Sequence, residues 1–191
     1  MDSGRLDLAF PHRYEVDLEV ELPPCPGNEK VFYFPEEPYR GGGGGGLLVR
    51  IVPDAGQPWI GLFAGGELGL DKVLSTPDEN RVCVVSEGTG YMVHADTPTR
   101  WERVQCSPIL GIRPIPERQL LVFADFCGLV AYGREGVAWA IRRLVWDDLK
   151  ITEVTPEIIK GCGYDPPQDR QVEFVVETET GLATSGSTPY T

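Results

Sequence analysis

Nucleophilic, metal and acid–base chemistry in this chain would draw on two histidines, five cysteines and a few spaced carboxylates. His12 lies between Pro11 and Arg13, and His94 ends an apolar run. A Ser–His–Asp or Cys–His arrangement would have to recruit one of them. Neither has a supporting local motif such as Gly-x-Ser-x-Gly. The cysteines stand at 25, 83, 106, 127 and 162, an odd number with no pair at C-x-x-C spacing. They read as reduced thiols of a cytoplasmic protein, with neither a zinc site nor a disulfide framework. No metal and no cofactor is expected.

The carboxylates offer more. Glu87 and Asp125 hold equivalent places in a sequence repeat, at the tips of two hairpins. Acids converging on one rim are what a glycosidase-like hydrolase needs. Turn formation is the competing use, because acidic side chains satisfy turn backbone groups. A second arrangement lies at residues 14–22, where Glu15, Asp17, Glu19 and Glu21 alternate with Tyr14, Val16, Leu18, Val20 and Leu22. Period-2 alternation predicts a strand with one wet face and one core face. Four acids spaced about 6.8 Å apart along a strand suit a basic partner. They also discourage edge pairing as a plain solvated face. Trp146, Asp147 and Asp148 form a third acidic spot, beside an aromatic ring.

The elements that must position these residues come from the repeat. Residues 79–94 superpose on 117–132 without a gap: Glu79 and Glu117, Gly90 and Gly128, and Trp101 and Trp139 are each 38 apart. A looser third copy spans 169–183. Each unit reads as an apolar strand, a glycine-bearing turn and a second apolar strand. Trp101 and Trp139 hold matched positions and are expected in the core. Trp59 and Trp146 are then the tryptophans left for an interface. Residues 137–146 fit both strand and helix periods, and the repeat favours strand. Further strands are predicted at 30–34, returning against the first, and at 47–52, 59–63 and 72–74. A single helical turn is predicted at 156–160, capped by Thr155.

The units at 72–183 resemble β-propeller blades in their strand–turn–strand pattern. That resemblance implies architecture only, since propellers have at least four blades and three hairpin units are visible. The fold class expected is mainly β: an antiparallel meander of repeated hairpins forming a two-sheet sandwich, with little or no helix. A partial, propeller-like arrangement is the alternative. The division expected is an N-terminal β-hairpin segment at 1–40, a flexible glycine linker at 41–46, a repeat-containing β domain at 47–183 and a disordered tail at 184–191.

Net charge is −12, which argues against a nucleic-acid partner because phosphate binding relies on lysine and arginine. No apolar run is long enough for a membrane span, and residues 1–7 lack the basic and apolar regions of a secretory leader. The leading expectation is a non-enzymatic cytoplasmic β-domain that mediates protein–protein interaction with a basic partner, in the manner of an inhibitor or immunity protein. Its partner-binding residues would be Glu15, Asp17, Glu19, Glu21, Trp59, Trp146, Asp147 and Asp148. The alternative is a carboxylate-dependent hydrolase acting through Glu87 and Asp125. A homo-oligomer stays open, because repeats of this kind can continue from one chain to the next.

Overall fold

The computed structural model describes residues 4–18, 21, 29–35 and 46–187. It is mainly β, with no α-helix among the described residues. None of its helices is long and apolar enough to cross a membrane. Two compact units divide the chain, Met1–Ser107 and Pro108–Thr191.

In the first unit, one sheet holds β2 (Tyr14–Asp17), β3 (Lys30–Phe34), β4 (Gly46–Pro53) and β5 (Trp59–Ala64) in the order β2-β4-β5-β3. Strand β1 (Leu6–Asp7) belongs to the other sheet, with β6 (Lys72–Ser75), β7 (Arg81–Ser86), β8 (Thr89–His94) and β9 (Trp101–Arg103) in the order β1-β6-β7-β8-β9. Period-2 alternation decides what is buried. In β4, Leu47, Val49, Ile51 and Pro53 are buried while Leu48, Arg50 and Val52 are half-buried. Val49, Ile51 and Phe63 join Val82, Val84 and Tyr91 of the second sheet in one core. The result is the two-sheet sandwich expected.

One expected pairing is corrected. Strand 30–34 forms, but it does not return against β2. It runs parallel to β5, with Phe34 opposite Phe63, and the two rings stack at 4.5 Å and 5°. That aromatic pair secures β3 on β5 and leaves β2 and β3 on opposite edges. Among the described residues of the acidic run, 14–17 are strand and Leu18 and Glu21 are not. Glu19, Val20 and Leu22 lie outside the described residues, as do Gly41–Gly45 of the glycine run; Gly46 opens β4.

The second unit repeats the layout. One sheet runs β10 (Gly111–Ile115), β11 (Leu120–Ala124), β12 (Leu129–Gly133) and β13 (Gly136–Ile141); the other runs β14 (Asp147–Val154), β15 (Ile158–Asp165) and β16 (Arg170–Glu177). Val122, Leu129 and Trp139 share a core with Val145, Ile159 and Phe174. Residues 137–141 are strand but 142–146 are not, so the strand expected over 137–146 forms in its first half alone. The helical turn at 156–160 is absent. Thr155 Oγ1 does accept the N–H groups of Glu157 and Ile158 at 3.2 and 3.1 Å, but this caps a turn and the chain continues as β15. Neighbouring strands β14 and β16 give these residues ladder partners that an isolated turn would lack.

The repeat is real in register but unequal at its tips. Val93 faces Trp101 and Ala131 faces Trp139, the same pairing moved by 38. Hairpin β7–β8 closes in two residues, Glu87 and Gly88, both at positive φ (43° and 80°), the signature of a primed hairpin turn. Hairpin β11–β12 closes over residues 125–128 instead. Gly90 therefore sits in a strand while its partner Gly128 closes a loop. In the third copy, the return strand shrinks to one bridge, Val176 to Ala183.

That return brings Gly181 against the indole of Trp139. Its φ is +70°, and a Cβ there would lie 2.7 Å from the ring. Gly181→Ala is expected to destabilise the protein by roughly 2 kcal/mol, from backbone strain plus overpacking. The measurement is the urea midpoint; Gly136→Ala, also at positive φ but facing open space, is the control for strain alone.

Candidate functional site

Strand β2 carries the acidic face. Tyr14 and Val16 turn inward, and the Tyr14 hydroxyl donates to the Arg81 carbonyl at 2.9 Å. Burial pushes that phenol well above its ordinary pKa. Glu15 and Asp17 are exposed. Asp17 lies directly across from Arg50 of β4, and Glu15 across from Val52. Arg50 is already occupied: its guanidinium grips both Glu29 carboxylate oxygens at 2.6–3.1 Å. This grip holds the Glu29 carboxyl below the usual carboxylate range and raises Arg50, with Asp17 and Glu15 adding to the field that favours its charge. Glu21 is exposed and outside any strand.

The hairpin-tip acids sit in different units, and each is bound up in its own turn. Asp125 Oδ1 accepts the N–H groups of Cys127 and Gly128 at 2.9 and 2.7 Å. Glu87 gives its own N–H to Asp71 Oδ1 at 2.8 Å. The Asp125 carboxylate is thus put to turn formation, whereas Glu87 serves its turn through its main chain. No group of three or more His, Cys, Asp or Glu is placed to hold a metal among the described residues.

Trp59, expected among interface residues, is instead a core residue. It is 2% exposed, and its indole N–H donates to the Ala95 carbonyl at 2.7 Å. A strand buried on both faces shows no periodicity that separates a core tryptophan from a surface one. Trp146 is half-buried, with the Arg143 guanidinium 4.3 Å above its ring. Asp147 and Asp148 are exposed; Asp147 Oδ1 accepts the Asp148 N–H at 2.8 Å, and Asp148 pairs with Lys150 at 2.7 Å. Cys127 stays a thiol: burial, then the Asp125 carboxylate beside it, raises its pKa.

Sequence reasoning missed a groove of about 430 Å³ on the β14–β16 sheet, lined by Thr152, Lys160, Cys162, Gln171, Glu173 and Val175. Two register shifts in β14 distort the sheet there. The usable signal was Gly161, where a Cβ would lie 2.2 Å from the Lys150 carbonyl. Comparison with protein-family models gave no match, and comparison with curated proteins gave none either.

His94 is a packed group with a polar tip. Its Nε2 accepts from Arg81 Nε at 3.2 Å, which requires an unprotonated Nε2. Arg81 also pairs with Asp78 and Glu102, both at 3.3 Å. Burial first, then Arg81 and Arg100, push the His94 pKa below 6.5, against Asp78 and Asp96. Below that value the unfolded chain holds more protons at this site, so stability falls as pH drops. Between about pH 7 and about pH 5, the parent should lose stability relative to His94→Gln, which cannot titrate. Urea midpoints that track each other across this range would show that His94 makes no such contribution.

Proposed function

We propose that this protein is a non-enzymatic cytoplasmic interaction module that binds a basic protein partner through the outer face of β2. The observation that carries this reading is that β2, at the edge of its sheet among the described residues, exposes Glu15 and Asp17 on one face. An approaching cation meets two exposed carboxylates on one strand face. The net charge of −12 adds long-range steering toward a basic surface, in the manner of an inhibitor or immunity protein.

The test uses a peptide of alternating lysine and valine, titrated calorimetrically into the full chain at several salt concentrations. Glu15→Lys combined with Asp17→Lys is expected to weaken binding by roughly tenfold or more and to flatten its salt dependence. Equal binding by parent and variant would end this reading.

A further inference from the structure

We infer that His94 is an acid-sensitive latch on the docking of β2: its protonation loosens the turn at residues 78–81, on which the start of β2 is seated. Each of the last three residues of that turn holds a neighbour. The Glu79 carbonyl accepts the Arg13 N–H at 2.9 Å, and the Glu79 carboxylate pairs with the Arg13 guanidinium at 2.9 Å. The Asn80 carbonyl accepts the Ala95 N–H at 2.8 Å. The Arg81 carbonyl accepts the Tyr14 hydroxyl at 2.9 Å. Asp78 closes the turn, its carbonyl accepting the Arg81 N–H at 2.9 Å and its Oδ1 the Asn80 N–H at 3.1 Å.

The other Asp78 oxygen, Oδ2, lies 3.3 Å from Arg81 Nε. The same Nε donates to His94 Nε2 at 3.2 Å. A protonated imidazole cannot accept that bond, and two cationic N–H groups would then face each other. Glu102 holds Arg81 Nη1 at 3.3 Å, which leaves Asp78 as the carboxylate at Nε. The imidazolium competes with Arg81 for it and draws it off the Asn80 N–H, so the turn slackens beneath Arg13 and Tyr14. Asp96 and Arg100 also bear on the ring: Asp96 with Asp78 favours its charge, and Arg100 with Arg81 opposes it. Burial is the largest opposing influence, so the ring is neutral and the latch closed at about pH 7. β2 carries Glu15 and Asp17, but the latch is independent of whether that face binds a partner.

The test is amide hydrogen exchange followed by NMR on the full chain at about pH 7 and about pH 5, each rate divided by its intrinsic rate. The Arg13 and Ala95 amides report on the latch. The Leu47 amide, held by Ser86 Oγ at the opposite end of β7, reports on the rest of the first unit. Acid is expected to lower protection at Arg13 and Ala95 by about threefold or more relative to Leu47. His94→Gln, which keeps an acceptor for Arg81 and cannot titrate, is expected to hold that ratio constant. A constant ratio in the parent overturns the latch. So does equal loss at all three amides, which is general destabilisation. A ratio that still falls in His94→Gln assigns the effect to another group and overturns it too. Should His94→Gln fail to fold, the parent decides alone: the fall at Arg13 must follow the NMR titration of the His94 ring, and a different midpoint overturns the latch.

Discussion

In each sandwich a buried indole is pinned to a main-chain carbonyl: Trp59 Nε1 to Ala95 and Trp139 Nε1 to Thr178, both at 2.7 Å. Trp59 belongs to β5, and Ala95 follows β8 of the facing sheet. Trp139 belongs to β13, and Thr178 follows β16 of the facing sheet. Leaving such a donor or acceptor buried and unpaired costs about 1–3 kcal/mol. Apolar packing is non-directional and would tolerate one sheet sliding over the other; the indole bond does not. Other bonds in the first unit act in the same sense, from Tyr91 to the Ala64 carbonyl at 2.9 Å and from the Leu47 N–H to Ser86 Oγ at 3.2 Å. The orientation of β2 follows from this frame, because Tyr14 anchors on Arg81 of the facing sheet.

Charge is distributed unevenly over that frame. On the β14–β16 sheet, Lys150 pairs with Asp148 and Lys160 with Glu153, at 2.7 and 2.9 Å. These exposed pairs contribute little to stability, yet they neutralise their own surroundings. Around His94, Arg81 is shared between two acids and the imidazole. On the outer face of β2, Arg50 grips Glu29 and lies across from Asp17.

How much of this was legible follows from what alternation encodes. It fixes which residues share a face in strands such as 14–17 and 47–52, while short apolar runs bounded by turns mark 59–63 and 82–85, so these strands and the sandwich class could be read directly. It does not fix neighbours. Nothing in Lys-Val-Phe-Tyr-Phe tells a parallel partner from an antiparallel one, and the deciding contact, Phe34 on Phe63, is made across about thirty residues of sequence. The tips failed for a related reason. Gly90 and Gly128 match in sequence, but turn type depends on which residues take positive φ, and Glu87 with Gly88 closed the first hairpin two residues earlier. The two single 3-10 turns, Pro116–Arg118 and Pro166–Gln168, each end in a left-handed residue, Gln119 or Asp169. They link β10 to β11 and β15 to β16 alike, although the sequences share little beyond a proline. The acidic face was legible because its residues are exposed by alternation alone; the occupancy of Arg50 was not, since Glu29 reaches it from another part of the chain.

Among the described residues β2 ends its sheet, and an edge strand is a hazard because main chain left unpaired can accept any extended segment. The acids on β2 bear on both outcomes at once. A second copy of the same strand laid against β2 would set Glu15 and Asp17 beside their own counterparts, and like charges directly opposite are destabilising. A neutral strand would be accepted without preference. A strand with a cation at every second position converts the same repulsive row into opposite-charge pairs. The solvated-face reading of residues 14–17 and the proposed binding of a basic partner therefore draw on one arrangement: a row of carboxylates that discourages self-pairing is also the row that a basic surface would complement.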